Sequence, residues 1–431
     1  MARLFAYTAP VSGHVFPSTT LLLELHRRGH EVHVRTRASD VGMLNELGLL
    51  ATPIDPRIEA LELDDWKASN PIAALQRLQH WYEANAKVEV GDLRGAIEEV
   101  DPDVLIVDAN FQGGAAVAEA SGLPWCQYSP FPPVFKSKDA PPYGPGLTPV
   151  RGALGRARDG ALYALFGRLA DRYLPPVNAL RASLDLEPLS HLEDLFLRAE
   201  RFILFTAEPL EYPRSDWPES VRLVGPLIWE PPAPAAAWLD EETRPIVLVT
   251  ASTVYQRDDK LIATALEALA DESVALIATT GALDPSTFAA PANARVEAFL
   301  PHAPIIERAA CVVSHGGMGI TNKSLAAGVP VCVVPFCRDQ FEVARRVDVS
   351  NAGVRLHHKR LTPQRLREAV YATIPMRAGA QRVADAFARA GSAPAAADVV
   401  EELLTDRHDL VPTLVRDAGM RLPAESMASE S

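Results

Sequence analysis

Short, nearly continuous apolar runs alternate along this chain with segments whose apolar positions recur every three or four residues. The runs 4–8 (LFAYT), 103–107 (DVLIV), 202–205, 246–250, 274–279, 311–314 and 331–334 are strand-length and rich in Val, Ile and Leu. Strands that read as apolar throughout are covered on both faces, which predicts parallel sheets between helical layers. The first repeat shows the rhythm. A strand at 4–8 leads through a loop at 9–14 into a helix over about 17–28, which Gly29 ends before a strand at 31–35. Pro17 is expected in the first helical turn, where its missing N–H costs nothing. A helix at 113–120 and a strand at 124–128 continue the βαβ alternation, and helical periodicity spans 153–184.

Two stretches break the rhythm. From 129 to 149 the chain turns to Pro, Gly and single aromatics (SPFPPVFKSKDAPPYGPGLTP), a length without regular structure that usually marks a functional loop. Around 226–240 four prolines, Pro226, Pro231, Pro232 and Pro234, read as an extended linker. The predicted organisation is therefore an α/β protein with an N-terminal domain at 1–225, a linker at 226–240, a second α/β domain at 241–405 and a tail at 406–431. A helix at 393–404 closes the second domain. With 431 residues, two domains of about 200 residues each are the natural division.

Composition narrows the function. The chain has 48% hydrophobic and 23% charged residues and a formal charge of −13, with no long block of one sign. That balance argues against a nucleic-acid footprint, which needs clustered Lys and Arg. It leaves room for a local anion site built from backbone N–H groups. Cys126, Cys311, Cys332 and Cys337 form no CxxC pair, so buried reduced thiols are expected and no metal site. No apolar run approaches the ~18 residues of a membrane span, and Pro10, Gly13 and His14 interrupt the N-terminus too early for a signal peptide. A cytoplasmic protein without stable membrane insertion is expected.

The chemistry concentrates between 296 and 353. The strand at 311–314 ends in His315-Gly316-Gly317-Met318-Gly319 and a helix follows. Glycines let backbone approach a ligand, and the helix N-terminus offers unpaired N–H groups and a partial positive charge, which suits a diphosphate. In the first domain, His14 follows a strand at the end where α/β sheets hold ligands, and Asp108 ends another strand. Either could instead be an ordinary loop or capping residue.

The segment with Phe299-Leu300-Pro301-His302, His315-Gly316-Gly317, Ala327-Gly328-Val329-Pro330 and Asp339-Gln340, joined to Gly13-His14-Val15, Asp108 and Val224-Gly225-Pro226, resembles the UDP-glycosyltransferase superfamily. The likeness is to its bacterial macrolide and natural-product branch and covers both domains. It implies the GT-B fold, two Rossmann-like domains facing across a cleft, the first for the acceptor and the second for a UDP- or dTDP-sugar. It implies His14 as general base paired with Asp108. Phe299 and Leu300 would meet the base, and Ser252, Thr253, His315, Gly316, Gly317, Met318, Gly319 and Thr321 the diphosphate, with Asp339 and Gln340 on the sugar hydroxyls. No metal or cofactor beyond the nucleotide sugar is implied. Phe111, Phe131, Phe135 and Tyr143, on loops of the first domain, are candidates to line a pocket for a small hydrophobic acceptor, whether natural product, antibiotic, phenolic or glycolipid. His357 and His358, beside Lys359 and Arg360, read as a solvated basic turn.

Two positions depart from the resemblance. Ile320 stands where many relatives have Ser or Thr, and Lys323 where many have Glu to accept from the ribose; lysine cannot accept a hydrogen bond. A lean toward a 2′-deoxy nucleotide follows. The competing readings are a nucleotide-sugar epimerase and a non-catalytic helper of the same fold. A nicotinamide dehydrogenase is disfavoured, because 9–14 (APVSGH) lacks the G-x-G-x-x-G spacing.

Overall fold

A computed structural model describes residues 1–68, 70–233, 236–252 and 258–417. Seven strands, β1 (Arg3–Tyr7), β2 (Glu31–Thr36), β3 (Leu50–Pro53), β4 (Val104–Asp108), β5 (Trp125–Ser129), β6 (Arg201–Leu204) and β7 (Val221–Leu223), form one sheet in the order β3-β2-β1-β4-β5-β6-β7. Six more form the second: β8 (Ile246–Thr250), β9 (Ala275–Thr279), β10 (Ala294–Glu297), β11 (Ala309–Ser314), β12 (Val331–Val333) and β13 (Gly353–Arg355), in the order β10-β9-β8-β11-β12-β13. Every pairing is parallel; Leu4 lies opposite both Val32 and Val104. The central strands β1, β4, β8 and β11 are buried nearly end to end, as continuous apolar runs require.

Both sheets reverse their strand order at one place, between β1 and β4 in the first and between β8 and β11 in the second. At such a switch point the loops diverge to opposite faces and leave a crevice at the carboxyl ends of the two strands. His14 follows β1 and Asp108 ends β4, while Ser252 follows β8 and His315 follows β11. The topology thus delivers the candidate residues of each domain to one crevice.

Several expectations change. The first helix starts at Ser12 and runs to Arg27, so His14 lies in its first turn rather than in a loop, and Pro17 sits inside the helix. Its absent N–H leaves the Gly13 carbonyl without its helical donor. The expected helix at 153–184 is divided into Ala153–Ala170 and Leu174–Ala182 by a 3₁₀ turn at Asp171–Tyr173, because Pro175 and Pro176 can only begin a new helix. A 30-residue helix, Pro71–Val100, and the short outer strands β3, β10 and β13 carried too little pattern to be read.

The last helix, Ser392–Asp417, returns to the first domain. Ala393, Ala396, Ala397, Val400 and Leu403 join the core of the first sheet with Leu21, Leu25 and Val34. Arg28 bonds to Asp398 and Glu401, and Arg201 to Glu402. The expected second domain therefore yields its closing helix to the first. Residues 406–417 of the expected tail continue this helix, and 418–431 lie outside the described residues. No helix among the described residues is long and apolar enough to cross a membrane.

Candidate active site

Between the domains runs a mostly apolar cleft of about 2220 Å³. In its wall, the His14 Nδ1 lies 2.8 and 3.0 Å from the two carboxylate oxygens of Asp108. Asp108 is fully buried and also accepts the backbone N–H groups of Ala9 and Asn110. An ionised carboxylate can only accept, so the neutral imidazole beside it carries its proton on Nδ1 and presents a lone pair at Nε2. Asn110 Nδ2 lies 3.2 Å from Nε2, and Tyr82 bonds to Asn110 Oδ1 at 3.1 Å. The Phe131 ring stands 6.0 Å from the imidazole.

The second domain faces this wall with the turn after β11. Gly316 has φ +96°, and a Cβ there would come within 2.8 Å of Val333, so only glycine makes this turn. A Cβ on Gly317 would stand 2.6 Å from His315 Nε2. His315 is 8% exposed, and its Nδ1 has no hydrogen-bond partner among the described residues. Burial lowers its pKa, with Asp258 opposing, so the imidazole is neutral at pH 7. Gly317, Met318 and Gly319 line the cleft at the start of the helix Met318–Ala326. Phe299, 62% exposed, stands in the same cleft, while the Leu300 side chain packs on the core behind it. Ser252 lies on the cleft, and its backbone N–H bonds to Asp258. Thr253 lies outside the described residues.

Asp339 lines the cleft and makes no capping bond to the helix Gln340–Val349 that it precedes. Burial raises its pKa, against the pull of Arg338 and, more weakly, of His14, which lies within electrostatic reach.

Five expected residues stand elsewhere. Phe111 is buried against Tyr7, ring centroids 4.4 Å apart, and Phe135 packs in a second core with Phe202 and Trp217. Their loop positions misled, since these loops fold inward over the sheet. Thr321 is fully buried, its hydroxyl donating to the Gly317 carbonyl, so Ile320 fills the cleft-facing position instead. The Gln340 side-chain Oε1 accepts the N–H groups of Phe336 and Cys337, which braces the turn before Asp339. Gly316 lies behind the cleft surface. Phe131 and Tyr143 do line the cleft, joined by Trp66, Trp81, Tyr82 and Trp229. His357 and His358, expected in solvent, border the cleft near Phe336 and Phe341.

Sequence reading also missed the contacts that join the two halves. Arg338 clasps Asp65 through Nε and Nη2 at 2.5–3.1 Å. Arg346, almost fully buried, bonds to Glu211 and Glu342, and Glu342 accepts the N–H groups of Gly144 and Gly146 in the loop that bears Tyr143. Lys323 pairs with Glu230 of the linker at 2.5 Å. Burial and Lys323 together lower the pKa of the neighbouring His302 to about 4.

Two parallel sheets meeting at paired switch points around one cleft define the GT-B fold. The model "Erythromycin biosynthesis protein CIII-like, C-terminal domain" matches residues 262–405. The 4'-demethylrebeccamycin synthase of Lentzea aerocolonigenes is 33% identical over 426 residues, covering 94% of this chain and 100% of the relative. The solved glycotransferase of kitacinnamycin superposes with a TM-score of 0.72 at 22% identity, over 93% of this chain and 98% of that one. The glycosyltransferase VinC, solved in complex with DTDP, gives 0.65 at 23% identity over 94% and 98%. The chain belongs to the bacterial natural-product glycosyltransferases.

Proposed function

We propose that this glycosyltransferase moves a hexose or deoxyhexose from a UDP- or dTDP-sugar to a hydroxyl of a small hydrophobic acceptor, with His14 as general base and inversion at the anomeric carbon. The observation that carries the reading is the buried Asp108 held on His14 Nδ1, which leaves Nε2 as a proton acceptor in the wall of an apolar cleft.

The acceptor O–H gives its proton to Nε2 as its oxygen bonds to the anomeric carbon. The bond from that carbon to the diphosphate oxygen breaks, and its electron pair leaves with the nucleotide. Asp108 stabilises the imidazolium that forms, as in hydrolase triads. A general base of this kind contributes about 10²–10⁴ in rate. Neutral His315, the backbone N–H groups of 317–319 and the helix dipole would stabilise the leaving diphosphate, with Ser252 beside them. These donors support a metal-independent reaction. Exposed Phe299 is available to the base, and Asp339 to the sugar hydroxyls.

Lys323 and Glu230 bear on the nucleotide. Lysine cannot accept from a ribose hydroxyl and is already paired. That pairing, and a relative of the same fold solved with DTDP, support the dTDP-sugar over the UDP-sugar. NMR of the product formed in EDTA tests the reading. An inverted anomeric linkage at an unchanged rate is expected. A retained linkage, or isomerised nucleotide sugar released without acceptor, would overturn it.

A further inference from the structure

The imidazole atom that must take the acceptor's proton is already occupied. Asn110 Nδ2 sits 3.2 Å from His14 Nε2, while Asn110 Oδ1 accepts from the Tyr82 hydroxyl. Burial, reinforced by Asp108, holds the Tyr82 phenol well above its ordinary pKa, so it remains a donor at every working pH. With the phenol donating, the Asn110 carbonyl points to Tyr82 and its amide N–H to Nε2. The bonds then run in one direction, from Tyr82 to Asn110 to His14 to Asp108.

We propose that Asn110, aligned by Tyr82, is a positioning residue that keeps His14 in its neutral, proton-accepting form until the acceptor hydroxyl replaces it at Nε2. The inference rests on His14 being the base. A proton on Nε2 of the resting enzyme would face the Asn110 N–H, donor against donor. Relieving that contact requires the amide to turn over and the Tyr82 hydroxyl to give up its bond. Asp108 acts in the opposite sense, since a buried carboxylate on Nδ1 favours the imidazolium. Without Asn110, His14 would hold a proton more readily, and less of it would be free to accept one at the acidic end of the working range. The other groups facing the imidazole are Asp339 across the cleft, the uncharged Phe131 ring and the Tyr82 phenol.

The test is the acid limb of the pH profile of kcat/KM. Asn110→Ala is expected to move that limb to higher pH by about half to one unit, a three- to ten-fold tighter proton. Asn110→Asp, which puts an acceptor opposite Nε2, moves it further, and Tyr82→Phe moves it in the same direction by less. A fall in kcat with the limb unmoved in Asn110→Ala and Asn110→Asp would mean a merely structural role and overturn the inference. NMR titration of the His14 ring gives the same reading without turnover, for variants too slow to assay. The parent reading is tested separately: a His14→Ala enzyme within a few-fold of wild type removes the base itself, whereas an unmoved limb with inactive His14→Ala removes only the role of Asn110.

Discussion

Arg338 and Asp65 grip one another across the domain boundary, guanidinium fork on carboxylate, one residue before Asp339. Arg338 is held at φ +51°, a left-handed conformation that costs a side-chain-bearing residue about 1 kcal/mol. The clasp ties the first-domain wall of the cleft near Trp66 to the turn that presents Asp339.

Removing the clasp should therefore affect the reaction more than the fold. Arg338→Gly relaxes the strained backbone while losing the fork, and Arg338→Ala loses the fork and keeps the strain. Both are expected to lower kcat/KM about ten-fold, one factor of ten per ~1.4 kcal/mol. Arg338→Ala should also be the less stable by about 0.5–1 kcal/mol. Paired denaturation and kinetic curves check this; equal stabilities would mean that the backbone is not strained.

A second bridge is deeper. Arg346 lies between Glu211 and Glu342 with almost no solvent contact. Arg346→Met would leave Glu342 without its guanidinium and Glu211 with Arg214 alone, and is expected to cost about 3–5 kcal/mol in chemical denaturation. Burial pushes the Glu211 pKa up, but Arg346 and Arg214 outweigh it and leave it lowered. A lowered carboxylate contributes stability above its unfolded value, lost as pH falls through its folded one. Wild type should thus lose stability below about pH 4.5 more steeply than Glu211→Gln.

Glu89 runs the other way. It is buried in the helix Pro71–Val100 and accepts the N–H groups of Gly113 and Gly114. Burial raises its pKa to about 8. A raised value favours the folded state below the unfolded pKa, and that advantage disappears as pH climbs through the folded one. Glu89→Gln, which can still accept both bonds, should gain on wild type in melting temperature between about pH 4.5 and 8, with the difference flat above. Parallel curves across that range would contradict the buried protonated carboxyl.

The glycine turn yields a sharper test of the donor side. Gly317→Ala directs a methyl at His315 Nε2, 2.6 Å away, without requiring left-handed backbone. Nucleoside diphosphate binding by calorimetry should weaken about ten-fold or more, since His315 must move, while the melting temperature changes little. Unaltered affinity would separate His315 from the diphosphate.

What could be read from the sequence followed from chain topology. His14 and Asp108 meet because β1 and β4, whose carboxyl ends carry them, lie side by side at a switch point, and His315 follows β11 beside β8 at the second. Asn110 carried no signal, because its role arises from Tyr82 on a helix whose sequence has no motif. Phe111 and Phe135 were misplaced because loop position was equated with exposure, yet Phe111 packs on Tyr7 of β1 and Phe135 on Phe202 of β6. Thr321 and Gln340 failed differently: their chemistry suits a ligand, but neighbouring backbone groups take it up. The return of the last helix to the first domain was equally silent, since its alanine-rich face fits either core.

In the proposed reaction His14 draws a proton from an acceptor hydroxyl while a nucleotide sugar occupies the facing domain. Purified enzyme should be incubated in EDTA with dTDP-glucose, dTDP-rhamnose or UDP-glucose and a panel of phenolic, macrolide and lipid alcohols, beside His14→Ala, and the acceptors weighed by mass spectrometry. A gain of one hexose or deoxyhexose with wild type, reduced at least a hundred-fold in His14→Ala, is the predicted result. Transfer by the variant at a comparable rate would contradict the assignment of the base.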